Sequence, residues 1–149
     1  MSLRQRIETD LKTAMKARDT ETVAALRMAL AAIKTEAAEA GTAGEVPDER
    51  VEELLGQQIK QRLDSAEAYD DGQRDDLAAQ ERREAEVLRA YLPEQLSDDE
   101  LAAIVDESIA ALGAGSGDFG RVMGTVMPKV KGRADGTRVN AMVRDRLGT

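Results

Sequence analysis

The 149-residue chain has no cysteine, no histidine and no tryptophan. The missing cysteine excludes disulfides and thiol nucleophiles, and with the missing histidine it excludes Cys/His zinc sites and a Ser-His-Asp triad. Aromatics make up only 2% of the chain, two tyrosines and one phenylalanine. Base stacking on aromatic rings is therefore not a mode of contact open to its C-terminal part, where Phe119 stands alone at core spacing. Proline occurs three times: Pro47 closes a loop, Pro93 ends a helical unit, and Pro128 limits a helix. No run approaches the ~18 apolar residues of a membrane span, and the opening MSLRQRIETD lacks the apolar centre of a secretion signal. A soluble cytoplasmic protein without membrane contact is the expectation.

What the chain has in abundance is charge, 34% of its residues, with a net of -8. The distribution is uneven. Residues 1–118 carry 14 basic and 27 acidic side chains, whereas residues 119–149 carry 7 basic and 2 acidic. A local positive field attracts phosphate even on an acidic protein. An ordinary solvated helix surface explains the same bias equally well.

The residue pattern is helical from end to end. Ala, Leu, Glu, Arg, Lys and Gln dominate, and no stretch shows β-branched alternation at a period of two. The pattern predicts an all-α fold. A first helix spans 2–18 with Leu3, Ile7, Leu11, Ala14 and Met15 on one side. Asp19 caps a second over 20–40, and Gly41 ends it before a loop over 41–47. A third begins at Asp48 and carries Val51, Leu54, Leu55, Ile59, Leu63 and Ala66 inward, stopping near Gly72. A fourth spans 74–92 with Leu77, Ala85, Leu88, Tyr91 and Leu92 inward. Helices three and four are long and charge-rich, as a coiled-coil-like hairpin requires.

After Pro93 comes the sharpest local signal. Ser97 and Glu100 have capping-box spacing, and Leu96 and Leu101 have hydrophobic-staple spacing. A helix over 97–112 follows, then the GAGSG linker, then a short helix with Phe119, Val122, Met123, Val126, Met127 and Val130. A turn over 132–136 leads to a last helix capped by Asp135, with Val139, Met142, Val143 and Leu147. The expected organisation is an antiparallel helical unit over 1–93 and a small three-helix domain over 97–149. A domain of that size buries only a modest fraction of its surface.

Few residues suggest chemistry. Asp70/Asp71, Asp75/Asp76 and Asp98/Asp99 are paired carboxylates of the sort that hold Mg²⁺ or move protons. Four of the six lie in first turns, where the helix dipole alone favours them. Lys60 and Ser65 diverge by about 140° on a helix, so a Ser–Lys nucleophile is discounted. The glycines of 113–117 and 132–136 follow no strand and carry no phosphate-loop ending. The basic residues are the remaining candidates. Lys129, Lys131, Arg133, Arg138 and Arg121 form a plausible phosphate-contacting edge, with Arg144 and Arg146 near in sequence. No residues suggest a cofactor or a catalytic or metal site.

Three stretches carry a resemblance. They are Leu26-Arg27 with Ala32-Ile33-Lys34 and Glu36; Lys60-Gln61-Arg62-Leu63-Asp64-Ser65 with Tyr91-Leu92-Pro93-Glu94-Gln95-Leu96-Ser97; and residues 120–136, from Gly120-Arg121 through Met127-Pro128-Lys129 to Asp135-Gly136, with Val139-Asn140. Together they resemble the GatB/YqeY family, and the chain is similar to its free-standing YqeY-like type. The C-terminal part resembles the tail domain of the B subunit of the tRNA-dependent amidotransferase, which helps to engage tRNA. The family label, carbon–nitrogen ligase with glutamine as amide donor, belongs to that larger enzyme. Its kinase-like body and glutaminase subunit have no counterpart here.

The resemblance thus implies a non-catalytic module binding tRNA or another structured RNA. Two alternatives stay open. One is a protein-interaction adaptor, docking a partner helix on Met123, Met127 and Met142. The other is an accessory to the ligase activity. The oligomeric state is left open.

Overall fold

The computed structural model describes residues 1–41 and 45–149. The loop expected over 41–47 falls partly on residues 42–44, outside the described residues. Among the described residues the chain forms seven helices and no strand, as the residue pattern predicts. It divides into two compact units, Met1–Leu92 and Pro93–Thr149.

In the first unit, α1 (Leu3–Lys16) starts in a capping box that the residue pattern did not single out. The Ser2 hydroxyl accepts the Gln5 N–H, and Gln5 Oε1 accepts the Ser2 N–H. α1 stops two residues before its expected end, because Arg18 turns into the left-handed region at φ 56. Asp19 then caps α2 (Thr20–Ala40), accepting the Thr22 N–H at 3.2 Å, and Gly41 closes that helix at φ 66. α3 (Asp48–Asp71) and α4 (Asp75–Arg89) form the most extensively packed pair of the unit. Ile7, Leu26, Ile33, Leu55 and Leu88 are its largest fully buried side chains.

Two residues expected in the inward stripes face outward instead. Leu63 is 38% exposed and Met15 is 49% exposed, while Arg62 is only 7% exposed. The buried positions on α3 are Val51, Leu54, Leu55, Ile59, Arg62 and Ala66. Successive turns of three or four residues keep one seam turned inward, and Leu63 lies about 100° round the axis from Arg62. The buried guanidinium donates to Glu84 Oε2 at 3.2 Å, and Glu81 lies at 3.7 Å. α4 is shorter than expected. It ends at Arg89, and Tyr91 and Leu92 lie in the turn that follows. There the Tyr91 hydroxyl donates to Asp10, and Arg6 sits 5.2 Å above the ring. Burial and the Asp10 carboxylate push the Tyr91 hydroxyl well above its usual pKa.

The second unit holds α5 (Asp98–Leu112), α6 (Phe119–Val130) and α7 (Gly136–Leu147). Its core is rich in valine: Val105, Val122, Val126, Val130, Val139 and Val143 are all fully buried, beside Leu101. The capping box at Ser97 is closed, at 3.1 Å to the Glu100 N–H and 3.2 Å from the Ser97 N–H to Glu100 Oε1. Gly113 ends α5 at φ 60, a left-handed conformation that glycine adopts without a Cβ penalty. α6 runs two residues past Pro128. A proline in the last turn of a helix removes only one intrahelical bond, so the helix ends soon after it rather than breaking.

Candidate nucleic-acid interface

The turn between α6 and α7 is built from inside out. Val130 and Val139, both fully buried, anchor its two ends. Ala134 packs beneath it, 8% exposed. Gly132 adopts φ 78, which lets the chain reverse between Lys131 and Arg133. The Arg133 N–H donates back to the Val130 carbonyl at 2.8 Å. From the segment before α5, the Leu96 N–H donates to the Arg133 carbonyl at 2.8 Å, and Gln95 Nε2 donates to the Gly132 carbonyl at 3.1 Å. The turn's backbone is therefore held from both sides. The side chains of Lys131 and Arg133 project from it exposed.

The other basic candidates have structural duties. Arg138, in the first turn of α7, donates from Nη2 to the Leu96 carbonyl and to Asp98 Oδ1, both at 2.9 Å. It ties the start of α7 to the start of α5. Lys129 donates from Nζ to Ser108 Oγ at 3.2 Å, and that fully buried hydroxyl donates in turn to the Ile104 carbonyl. Arg121 reaches Asp118 at 3.4 Å and the Leu112 carbonyl at 3.3 Å, which places it at the C-terminal end of α5. Lys131, Arg133 and Arg138 belong to the opposite end, beside the N-terminus of α5. The five candidates are thus not one edge. Arg121 is about 12 Å from Lys129 along α6, given ~1.5 Å of rise per residue.

Arg144 and Arg146 are engaged too. Arg144 lies 4.2 Å over the Phe119 ring and donates to Asn140, and Arg146 is 3.6 Å from Asp106. The Phe119 ring is thus covered by a cation.

The electrostatics of this end had no signal in the sequence. The first turn of α5 brings Asp98, Asp99 and Glu100 to the same end as Lys131, Arg133 and Arg138. Glu100 is held below the usual carboxylate range, chiefly by the Ser97 N–H, then by the Ser97 hydroxyl, and further by the charge of Arg133. The partners are more than thirty residues apart in the chain, beyond the reach of any periodicity argument. Among the described residues no group of acidic side chains is arranged to hold a metal ion, and no helix is long and apolar enough to cross a membrane.

Similarity to known proteins extends over both units. The family model described as Yqey-like protein matches residues 4–147. Altered inheritance of mitochondria protein 41, mitochondrial, of Pyrenophora tritici-repentis (strain Pt-1C-BFP) is 29% identical over 148 residues, which is 96% of this chain and 80% of that protein. The protein of the same name from Clavispora lusitaniae (strain ATCC 42720) is 34% identical over 86 residues, 58% of this chain and 49% of that protein.

Proposed function

The chain belongs to the YqeY-like family, and from that premise we propose that it is a non-catalytic helical module that binds structured RNA, tRNA above all, at the turn between α6 and α7. The observation that carries this reading is the turn itself. Lys131 and Arg133 stand exposed on either side of Gly132, on a backbone clamped by Leu96 and Gln95. A rigid backbone with long cations at its tip suits phosphate, because the cations reach outward without the turn having to reorganise. Arg138 and Lys129 serve as struts for this tip, through Leu96 and Ser108. Contacts of this kind position RNA by its backbone and shape and carry no base identity.

The adaptor reading rests on Met123, Met127 and Met142. All three pack against the core of the second unit, so they give it no specific support. The family's ligase label stays with the larger enzyme, whose kinase-like body and glutaminase subunit have no counterpart in this chain.

The test is a charge reversal. Lys131→Glu with Arg133→Glu should weaken binding to unfractionated tRNA while leaving the melting profile unchanged. The slope of log affinity against log salt should shrink by about 0.7–0.9 for each phosphate the variant no longer neutralises. The weakening should be alike for tRNAs of different sequence. A folded double variant with unaltered affinity and slope removes this site, and the adaptor then becomes the better reading.

A further inference from the structure

The cationic tip is countered from within the same unit. Arg138 is held by Asp98 at 2.9 Å, Arg133 acts on Glu100, and Asp99 adds a third negative charge in the same helical turn. These acids are not needed to compensate buried charge. The Asp98 side chain is 84% exposed and that of Arg138 36% exposed. An ion pair this open contributes little to stability and exchanges partners readily.

We infer that the first turn of α5 is an internal competitor for the cationic tip: Asp98 holds Arg138 in an exposed ion pair that an RNA phosphate must displace, and Asp99 and Glu100 add negative charge at the same end. The inference rests on the RNA-binding reading and adds its regulation. With the gate in place, an isolated polyanion segment gains a cation only by releasing an acid, so weak non-specific contacts are suppressed. An RNA that follows the whole tip also gains the other exposed cations and so keeps a net gain. Negative charge here thus discriminates between partners by repulsion, a common route to specificity.

Neutral isosteres open the gate without dismantling the helix start. Glu100→Gln keeps capping-box chemistry, since glutamine serves at that position as glutamate does. Asp98→Asn removes only an exposed charge. The control carries the same change of net charge elsewhere, Glu67→Gln with Asp71→Asn on α3, both exposed. Binding of unfractionated tRNA is measured for the full chain, the Asp98→Asn/Glu100→Gln variant and the control across a salt series. Melting curves check folding, and single Asp98→Asn serves if the double variant is unstable.

The gate variant should bind about three- to tenfold tighter at low salt, the order expected from freeing one surface cation and removing a second negative charge beside the tip. Its salt slope should steepen, and the control should stay within about twofold of the parent. An equal rise in the control would mean that net charge alone is at work, and would overturn the gate. A gate variant that binds no better than a parent that does bind would overturn it also, and would leave the RNA reading standing. A parent and variant that both fail to bind at low salt would overturn the RNA reading, and the gate with it.

Discussion

The α3–α4 hairpin and the α5–α7 unit reach stability by different routes. α3 and α4 begin without a side-chain cap, yet run 24 and 15 residues. Between them they bury an arginine and a glutamate, Arg62 and Glu84. α5 and α7 run 15 and 12 residues and each begins with a side-chain cap, at Ser97 and Asp135, while the 12-residue α6 between them has none. Their unit keeps its charges on the surface, and its only buried polar residue is Ser108, among the described residues. The hairpin pair draws its stability from packing along a wide seam. A side-chain cap satisfies backbone groups that a helix end otherwise leaves unpaired, and α5 and α7 use one. The difference also divides the work of charge. In the hairpin one pair, Arg62 with Glu84, is buried and holds a fixed pairing. In the second unit charge stays exposed and is available to exchange partners.

The largest effect should come from breaking the buried pair. Arg62→Ala leaves Glu84 without its counter-charge and should cost about 3–5 kcal/mol, with hydrogen exchange rising in α3 and α4 rather than in α5–α7. Arg62→Met with Glu84→Leu should recover most of that stability, since a buried pair replaced by packed apolar groups is often neutral. If the single variant costs less than a surface change, the contrast between the two regions fails.

A cap deletion tests the other side. Ser97→Ala removes the acceptor of the Glu100 N–H and should cost about 1 kcal/mol, read as a lower denaturant midpoint for α5. No equivalent deletion exists at α3 or α4.

Glycine makes the comparison even-handed. Gly56 in α3 and Gly124 in α6 each have open space where a Cβ would stand. Gly56→Ala and Gly124→Ala should each stabilise by about 0.5–1 kcal/mol, because the helical backbone gain does not depend on the unit. Destabilisation at Gly124 alone would show that α6 needs its bare surface for packing.

The smallest effect is the acid response of the second unit. Glu100 has a lowered pKa when folded, so the stability it contributes is present above the unfolded Glu value of about 4.3. That contribution is lost as pH falls through and below this value. Glu100→Gln should therefore flatten the fall in the stability of α5 between about pH 5 and pH 3, with a shallower midpoint-against-pH curve as the readout.

Reading the helices from the chain works where the signal is local. The start of α5 is visible because Ser97, Glu100, Leu96 and Leu101 lie within six residues, and the left-handed stop at Gly113 because glycine alone enters that region freely. The end of α4 is not visible. Tyr91 and Leu92 continue the apolar spacing, but the turn there is fixed by Asp10 and Arg6, more than eighty residues upstream. Of the candidate interface, the residue types and the turn are legible. The division of Lys129, Lys131, Arg133, Arg138 and Arg121 between two ends of the unit is not, because Leu96, Ser108 and Leu112 supply their partners across the fold.

By itself the sequence determined an all-helical chain, the starts of α2, α3, α5 and α7, and the exclusion of thiol, histidine and zinc chemistry. Those follow from side-chain spacing and from residue types, which act over one or two turns of helix. Only the tertiary structure decided that Arg62 rather than Leu63 turns inward, and that the acids of α5 stand against the cations of the last turn. Both depend on which faces of distant helices meet. Coulomb forces and burial act through space, so neither could be read from positions along the chain.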